Sequence, residues 1–595
     1  MRESTVRRPR KEFDPTPHRQ ELVAIIDEIA AEPDLDPRAI DQILKKHPRA
    51  GAGFFSRSEI IAGFRRFGST HQRDLDEEVF LKRLRLRPVR TLSGVTPVTV
   101  LTKPYPCPGK CIFCPNDVRM PKSYLSDEPG AQRAEDNRFD PYLQTWNRLR
   151  AYQSMGHPVA KVELIVLGGT WSFHPEVYQV WFVKRCFDAL NDFGRGVDRR
   201  AEAGAAPVRF HELPSRLDGR EPESSYNQLV GGLLREVHGS ALLHSSESAN
   251  WAELEAAHLV NETAACRSVG LVVETRPDHI SAEEVRRIRR LGGTKVQIGL
   301  QSLSDRVLEA NRRGCDVAAS RRALRLLRGA GFKLHVHWMP NLLGSSAEED
   351  ADDFARLFDD PDFRPDELKL YPCSLIESAE LMGHYERGEW RPYGHDELVD
   401  LLAGCLGRTP SYCRLTRVIR DFSSRDIVAG NQLTNLREVA EERLRSRGGA
   451  CRDIRAREIR GSQFSAEELR LNDQVYQTSI GDEHFLEFAT SEDRLVGFLR
   501  LSLPASPLSD PELRTSALIR EVHVYGDSLG LGRRAEGRAQ HMGLGKRLID
   551  RAAQLARDAG FEDLAVISAV GTRVYYRSLG FTDGEYYQHR SLAPT

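Results

Sequence analysis

The chain has 595 residues, too many for one hydrophobic core, and three or four domains are expected at about 150 residues each. Its 85 Lys and Arg against 86 Asp and Glu give a net charge of −1, so overall charge does not indicate a nucleic-acid binder. The sequence lacks a long apolar run and an apolar N-terminal stretch, and ten cysteines are too few for a disulfide scaffold. We therefore expect a cytoplasmic protein without membrane association.

Residues 1–84 are predicted to form a helical N-terminal region. Leu22, Ile25, Ile26 and Ile29 recur at helical spacing, and prolines separate the helical segments. The region ends in a basic stretch from Lys82 to Arg90. This stretch is either a solvated helix face or a strip that contacts phosphates.

A loop with three closely spaced cysteines follows. Cys107, Cys111 and Cys114 form a CxxxCxxC pattern in a Pro- and Gly-rich frame that disfavours helix and central strand. Three thiolates can hold three irons of a [4Fe–4S] cluster and leave the fourth iron open for S-adenosylmethionine (SAM). The alternatives are zinc ligands or buried thiols, but no fourth ligand follows at zinc-knuckle distance. The spacing resembles that of the radical-SAM superfamily.

Residues 85–360 alternate short apolar runs with helical segments, which predicts βα units, a parallel sheet and a partial (β/α) barrel. Catalytic groups in such barrels lie at the C-terminal ends of the strands. The candidate cofactor-binding residues at these ends are Gly168, Gly169, Thr170, Glu274, Arg276 and Gln301. Within this region, residues 199–250 are predicted to be an insertion. His335 and His337 are expected to point to opposite sides of one strand.

Residues 361–460 are interpreted as a linker region with many arginines. It contains Cys373, Cys413 and Cys451, which either share a metal ion or are core or surface thiols.

Residues 461–595 show a different pattern of strands around one helix. Gln540, Gly543 and Gly545 form a QxxGxG turn directly before an amphipathic helix, and backbone amides at a helix start can bind pyrophosphate. A strand containing REVHVYG precedes the turn, and AVISAVG with Tyr575 and Tyr576 follows the helix. This order resembles the GNAT acetyltransferase fold, in which coenzyme A pyrophosphate sits on the turn and a tyrosine can protonate the departing thiolate. The alternative is a purely structural unit.

The motifs in their order resemble the family of Elongator complex subunit 3, in particular its stand-alone prokaryotic members. They run from RPVRTLSGVTPVTVLTKPYPCPGKCIFCP through KVELIVLGGTW, VETRPDHI and FRPDELKLYP to QHMGLGKRLI and AVISAVGTRVYYRSLGF. The resemblance covers nearly all of residues 85–582. It implies an α/β fold in which a radical-SAM partial barrel is fused to a C-terminal GNAT-like α+β domain. It also implies an enzyme that uses acetyl-CoA and a SAM-derived radical to form 5-carboxymethyluridine at the wobble uridine, position 34 of tRNA.

The resemblance also assigns roles to residues. Cys107, Cys111 and Cys114 would hold the cluster, and the catalytic candidates are Tyr575 and Tyr576. The residues implied to contact acetyl-CoA are Lys161, Glu521, Val522, His523, Val524, Leu544, Gly545, Lys546 and Tyr576. The implied partner is the anticodon stem-loop of tRNA. From the distribution of basic residues along the chain, and not from the resemblance, the candidate contacts are Lys82 to Arg90, Lys103, Arg119, Lys122, Arg414, Arg417 and Arg420.

Two other functions remain open from the sequence. One is a protein lysine acetyltransferase with a structural iron–sulfur cluster. The other is a binding protein in which the cluster and the acetyl-CoA pocket only regulate tRNA capture. The sequence does not decide the oligomeric state.

Overall fold

The structure is a computed structural model, and it describes residues 13–32, 36–49, 53–68, 76–86, 91, 93–203, 225–460, 464, 466–525 and 543–593. The helices are α1 (Arg19–Ala31), α2 (Pro37–Lys46), α3 (Arg57–Phe67), α4 (Glu77–Leu84), α5 (Pro129–Asp136), α6 (Pro141–Ser154), α7 (Glu176–Arg195), α8 (Tyr226–His238), α9 (Trp251–Asn261), α10 (Ala282–Arg290), α11 (Asp305–Ala310), α12 (Val317–Gly329), α13 (Ala347–Asp359), α14 (Leu381–Glu386), α15 (His395–Arg408), α16 (Leu436–Ser446), α17 (Ile454–Arg457), α18 (Leu544–Asp558) and α19 (Arg573–Ser578).

The strands are β1 (Thr96–Leu101), β2 (Lys161–Leu167), β3 (Arg267–Thr275), β4 (Lys295–Gln301), β5 (Lys333–Trp338), β6 (Glu367–Leu370), β7 (Leu375–Ile376), β8 (Arg414–Arg417), β9 (Ile427–Ala429), β10 (Arg470–Thr478), β11 (Gly481–Ala489), β12 (Leu495–Pro504), β13 (Ser516–Val524), β14 (Asp563–Val566), β15 (Thr582–Asp583) and β16 (Gln588–Ser591).

Helices α1 to α4 pack around a small core of their own. The predicted apolar stripe of α1 is buried, and the rings of Phe64 on α3 and Phe80 on α4 stack with centroids 4.1 Å apart. Ser56 starts α3 with a capping box, because its side chain accepts from the Glu59 backbone while the Glu59 carboxylate accepts from the Ser56 backbone. The helical N-terminal region is therefore present in the described residues.

Seven parallel strands form the first sheet, in the order β1-β2-β3-β4-β5-β6-β8. Burial alternates along β2, where Val162, Leu164 and Val166 are buried under the helices. The intervening Glu163 and Ile165 line an interior cavity. A period of two thus separates the core face from the functional face. Strands β6 and β8 come from residues 361–460, so this segment contributes to the sheet.

The second sheet has the order β10-β11-β12-β13-β14-β16-β15 and is mainly antiparallel. Strands β13 and β14 are parallel, and α18 connects them. Helix α18 buries Leu548, Ile549 and Ala552, and it contacts β12 and β13. The two sheets share one continuous hydrophobic cluster, so the two parts pack together. The expected fold class, a partial barrel joined to a GNAT-like α+β domain, is confirmed.

Among the described helices, none combines the length and the apolar composition needed to span a bilayer. The domain boundaries at residues 84, 360 and 460 stay a prediction.

Candidate active site

The cysteine loop follows the C-terminal end of β1. Cys111 is buried, Cys107 and Cys114 are partly exposed, and all three line one cavity of ≈ 2270 Å³. The Cys114 Sγ lies 3.1 Å from Ser123 Oγ, and the Cys107 Sγ lies 3.8 Å from Thr170 Oγ1. The loop therefore presents its thiols where the motif residues at the strand ends also meet.

Two arginines approach the buried thiol. Arg313 Nη1 is 3.5 Å and Arg276 Nη1 is 3.8 Å from Cys111 Sγ. A hydrogen bond with the Cys114 thiol and the charges of the two guanidinium groups hold the pKa of Cys111 well below its usual value, despite burial. A Cβ on Gly109 would lie 2.3 Å from Arg276 Nη1, so a larger residue there would displace the end of the arginine side chain. This environment favours a thiolate.

The donor set fits an iron–sulfur cluster better than a single ion. Within the described residues, no group of three or more His, Cys, Asp or Glu side chains is spaced to bind one metal ion. Thiolates that each hold a different iron of a cluster lie further apart than ligands of one ion. Three thiols facing one cavity, with two cations beside them, suit an anionic cluster with an open iron.

The predicted residues at the strand ends surround this loop. Gly169, Thr170, Glu274, Arg276 and Gln301 line the cavity. The Oε1 atom of Gln301 is buried and has no hydrogen-bond partner among the described residues, and its backbone has φ +72°. An acceptor left unpaired in a cavity is suited to a ligand that donates a hydrogen bond.

Gly168 lies behind the cavity and has a packing role. Its φ is +127°, and a Cβ there would lie 2.1 Å from Thr102 Oγ1. Thr102 in turn donates from Oγ1 to the Gly168 carbonyl, at 3.0 Å. The glycine thus allows β1 and β2 to end side by side.

The same cavity extends to the second sheet, where Glu521, Val522, His523 and Tyr576 line it. Glu521 accepts from Arg500 Nε at 2.9 Å and forms an ion pair with Lys333 on the barrel. Burial lowers the pKa of His523 to about 4, so its ring is neutral at pH 7. Burial also raises the pKa of Tyr576 well above its usual value, and the nearby Tyr575 and Glu521 add to the shift.

The glycine turn lies at the start of α18. Gln540 lies outside the described residues, whereas Gly543 has φ +67° and precedes Leu544, Gly545 and Lys546 in the first turn of the helix. A Cβ on Gly545 would lie 2.8 Å from the hydroxyl of Tyr575. Tyr575, which is 44 % exposed, therefore stands over the turn, whereas the neighbouring Tyr576 is 7 % exposed.

Neither Lys161 nor Val524 is among the residues that line the cavity. Lys161 pairs in register with Arg267 on β3. Arg267 in turn lies against Gly571, in the segment after β14, because a Cβ on this glycine would be 2.6 Å from the Arg267 Cβ. Val524 is the last residue of β13, and its Cγ2 is 3.9 Å from a Cβ built on Gly545.

An ionic chain crosses the cavity between the two sheets. Lys295 lies 2.8 Å from Glu163 and 3.2 Å from Glu367, and Lys333 lies 3.2 Å from Glu367. Lys333 continues the chain to Glu521 on β13. Burial alone would lower the pKa of Lys333, but the carboxylates of Glu367 and Glu521 raise it above its usual value. These groups keep the interior polar between the cysteine loop and Tyr576.

The prediction that His335 and His337 point to opposite sides was wrong. Both histidines are buried and line the cavity, with ring centroids 5.7 Å apart. Residues two positions apart on a strand share a face, so the pair had to lie together. His335 Nε2 is 2.9 Å from Thr416 Oγ1, and His337 Nε2 is 3.2 Å from Gln297 Oε1.

The basic RNA-contact candidates divide into those that line the cavity and those that do not. Lys82, Lys122, Arg414, Arg417 and Arg420 line the cavity. Lys103 is 4 % exposed and forms an ion pair with Glu247, so the prediction that it contacts RNA was wrong. Arg119 is near Asp117 and Ser126 on the cysteine loop side, and residues 87–90 lie outside the described residues.

The three cysteines of the linker region have hydrophobic surroundings, and Cys373 shares one hydrophobic cluster with Cys111. Cys373 is buried in a hydrophobic cluster with Leu375 and Trp390. Cys413 is buried in the main core, which Cys451 contacts from its edge. Burial raises the pKa of Cys373 to about 12. These surroundings agree with core thiols.

Sequence reasoning missed several residues of the site. Arg313 belongs to the NRRG stretch, which is part of the resemblance, but nothing in the stretch showed that it reaches Cys111. Tyr124 donates to Glu274 Oε2 at 2.8 Å. Asn227 forms hydrogen bonds with the backbone of Cys107, although it lies in the segment interpreted as an insertion. Contacts between residues this far apart in sequence leave no local signal.

Comparison with known proteins places this geometry in context. The profile of the radical SAM superfamily matches residues 242–357, and the profile of the radical SAM C-terminal domain matches residues 365–446. A tRNA uridine(34) acetyltransferase of Dehalococcoides mccartyi is 40 % identical over 501 residues, 83 % of this chain and 96 % of that protein.

Two further relatives extend the similarity. A protein of the same name from Methanocaldococcus infernus is 34 % identical over 576 residues, 94 % of this chain and 96 % of that protein. Elongator complex protein 3 of Danio rerio is 34 % identical over 524 residues, 85 % of each chain. Among solved structures, archaeal Methanocaldococcus infernus Elp3 with an N-terminal deletion of residues 1–46 is similar, with a TM-score of 0.65 and 31 % identity over 84 % of this chain and 99 % of that chain.

Proposed function

Because the chain belongs to the family of tRNA uridine(34) acetyltransferases and Elongator complex protein 3, we propose that it converts uridine 34 of tRNA to 5-carboxymethyluridine with acetyl-CoA and SAM. The relatives carry the name of an enzyme that acts on this uridine, and the chain is accordingly a tRNA-modifying enzyme. Membership of the radical SAM superfamily implies a [4Fe–4S] cluster and SAM.

One observation carries the proposal. The cysteine loop, the interior of the barrel and the residues around Tyr576 line a single cavity of ≈ 2270 Å³. Uracil C5 is a poor nucleophile toward a thioester carbonyl, so ordinary acyl transfer would not attach the acetyl methyl carbon to it. When bound, the cluster and SAM would supply a radical that removes a hydrogen from the acetyl methyl group, which makes that carbon able to bond to C5. A shared cavity allows both cofactors to reach one substrate.

At the end of the cavity near the cysteine loop, the residues would hold the cluster and orient SAM. We assign Cys107, Cys111 and Cys114 as cluster ligands and Arg276 and Arg313 as the cations that favour the thiolate form of Cys111. Gly169, Thr170, Glu274 and Gln301 are assigned to SAM. Glu274 is fixed by the Tyr124 hydroxyl, and Gln301 presents an Oε1 atom that has no hydrogen-bond partner in the described part of the chain.

At the end of the cavity near Tyr576, the residues bind acetyl-CoA, and one of them donates a proton. Strand β13 from Glu521 to Val524 would border the thioester of acetyl-CoA, and the backbone amides at Gly543 to Lys546 would receive its pyrophosphate. The Tyr576 hydroxyl is protonated at neutral pH, as an ordinary tyrosine is, and burial raises its pKa further. It can therefore donate this proton to the departing thiolate of coenzyme A.

The RNA partner is proposed to be the anticodon stem-loop, because uridine 34 must leave the stack of bases to enter the cavity. Arg417, which is half exposed beside Asp421, and Lys82 on α4 both line the cavity. Such residues can contact phosphates around the loop.

The proposal is tested with cluster-loaded protein under anaerobic conditions. Incubation with tRNA, SAM, a reductant and acetyl-CoA is expected to give 5-carboxymethyluridine at position 34, measured by mass spectrometry of nucleosides. A matched Cys114→Ser variant is expected to give none. A protein that retains iron and cleaves SAM but forms no modified nucleoside would contradict the proposal, and acetyl-lysine formed by the Cys114→Ser variant would favour the lysine acetyltransferase instead.

A further inference from the structure

Helix α8 covers the cysteine loop, although it comes from the segment interpreted as an insertion. Tyr226, Val230 and Leu234 on its buried face pack in one hydrophobic cluster with Val118 and Met120 of the loop side. The Tyr226 hydroxyl also donates to the Met120 carbonyl at 2.8 Å. The helix is therefore part of the wall behind the thiols.

Asn227, at the start of this helix, holds the backbone of Cys107 at both ends. The Cys107 N–H donates to Asn227 Oδ1 at 2.8 Å, and Asn227 Nδ2 donates to the Cys107 carbonyl at 2.7 Å. A side-chain amide that pairs with both groups of one residue fixes its position and its rotation. The hydrogen bonds are exposed, so their contribution to folding is small and their effect is mainly geometric.

Cys111 and Cys114 are held in another way. The loop around them is anchored to the barrel, because the Ile112 N–H donates to the Asn311 carbonyl at 3.2 Å and the Ile112 carbonyl accepts from Leu381 at 2.9 Å. The Cys114 N–H donates to the Cys111 carbonyl within the loop at 3.2 Å. Cys107 lies before these anchors in the sequence. Its two hydrogen bonds with Asn227 anchor its backbone instead.

The residues after α8 hold the approach to Cys107. Lys103, four residues before the cysteine, forms a buried ion pair with Glu247, and its Nζ lies 3.5 Å from the Leu242 carbonyl. Gly231 on α8 faces Pro106, since a Cβ on this glycine would be 3.6 Å from the Pro106 Cγ. The segment that leads into the cluster site therefore contacts residues 225–247 at two points, Lys103 and Pro106.

We propose that Asn227 is a positioning residue for the cluster ligand Cys107 and that residues 225–247 form a structural part of the cluster site. Partners that orient a metal ligand typically change metal affinity by about ten- to a hundredfold when they are removed. Asn227 acts on the backbone of the ligand residue, which sets where the Sγ atom stands. The inference rests on the proposed cluster at Cys107, but not on the RNA product.

The test compares Asn227→Ala with Gln228→Ala in the full chain loaded with iron and sulfide. Gln228 is the adjacent residue of the same helix, and its side chain accepts from the Ser225 backbone in the capping box without reaching the loop. Iron release to a chelator under anaerobic conditions is measured together with the electron paramagnetic resonance spectrum of the reduced cluster. We expect Asn227→Ala to lose iron about tenfold faster than the parent and to show an altered spectrum, with Gln228→Ala close to the parent.

Asn227→Asp adds an intermediate case, because it keeps the acceptor for the Cys107 N–H and loses the donor to the carbonyl. We expect the rate of iron release from Asn227→Asp to lie between the rates of the parent and of Asn227→Ala. Release from Asn227→Ala at the parental rate would overturn the proposal, and so would equal acceleration in Asn227→Ala and Gln228→Ala, which would indicate loss of the helix. A parent that holds iron without modifying tRNA would contradict the proposed function and leave this measurement intact.

Discussion

Gly168 shows how much a single position can depend on the absence of a side chain. At φ +127°, a Cβ would lie 2.1 Å from Thr102 Oγ1 and 2.9 Å from the Thr102 nitrogen. We expect Gly168→Ala to destabilise the barrel by about 1–2 kcal/mol from backbone strain and by about 1–3 kcal/mol more from overlap. The apparent Tm from circular dichroism measures the effect.

Gly560 offers a matched control for this prediction. It also has positive φ, +86°, but no atom of the residues that the structure describes lies within 4 Å of a Cβ built there. Gly560→Ala should therefore show the strain alone. Equal shifts in Tm for the two variants would show that contact with Thr102 adds nothing.

Tyr575 and Tyr576 are neighbours in sequence with different surroundings. Tyr576 is buried in the cavity and protonated at neutral pH, whereas the Tyr575 hydroxyl lies over Gly545. We expect Tyr576→Phe to slow release of coenzyme A about a hundredfold, because it removes the proton donor, with cleavage of SAM unchanged. Thiol release and deoxyadenosine formation are measured in parallel.

Tyr575→Phe is the control for Tyr576→Phe. It removes a hydroxyl at the glycine turn and keeps the ring, so the rate of coenzyme A release should stay near that of the parent. The opposite ranking of the two variants would assign the proton donor to Tyr575.

At the scale of elements, β16 is tied to its neighbours by one charged histidine. His589 Nδ1 lies 2.8 Å from Asp563 Oδ2, and its Nε2 lies 3.2 Å from Glu512 Oε1. Burial alone would lower its pKa, but the hydrogen bonds to both carboxylates raise it to about 9. In the unfolded chain the pKa is about 6.5.

The stability of the second sheet should therefore depend on pH. Because the folded pKa is raised, the stabilisation is fully present below about pH 6.5 and is lost as the pH rises through about 9, with an upper limit of roughly 3 kcal/mol. Thermal unfolding between pH 6 and pH 10 measures this loss. His589→Gln should remove this component of the decline, and an undiminished decline in the variant would contradict the assignment.

At the scale of the whole molecule, buried charges join the barrel to the second sheet. Asp366, directly before β6, accepts from Arg520 of β13 at 2.9 Å and 2.6 Å, and Arg500 of β12 lies 3.4 Å away. All three are at most 3 % exposed. Burial would raise the pKa of Asp366, but the charges of the two arginines hold it well below its usual value.

Asp366→Asn should therefore remove the carboxylate that these two buried guanidinium groups share, which leaves Arg500 with Glu521 and Arg520 with Glu483. We expect a loss of about 3–5 kcal/mol and separate unfolding of the two parts in calorimetry. Glu255→Gln is the control, since it breaks an exposed ion pair with Arg290 that is worth at most about 1 kcal/mol. A single unfolding transition at the parental Tm for Asp366→Asn would show that apolar packing alone joins the parts.

Local patterns in the sequence determined much of this protein. The spacing of Cys107, Cys111 and Cys114, the apolar runs of the barrel strands and the glycine turn before α18 act over a few residues, so each could be interpreted from neighbouring letters. The order of motifs then indicated the family. The prediction that His335 and His337 point to opposite sides was an error in this local reasoning, because residues two positions apart on a strand lie on the same face.

Tertiary structure alone decided how these pieces meet. That Asn227 holds Cys107, that Arg313 reaches Cys111 and that Asp366 pairs with Arg520 depends on residues between 120 and 202 positions apart. The union of the cysteine loop and Tyr576 in one cavity likewise follows from how two sheets pack. The periodicity of apolar residues indicates which face of a helix or strand is buried. Which other element packs against that face depends on the tertiary structure of the whole chain.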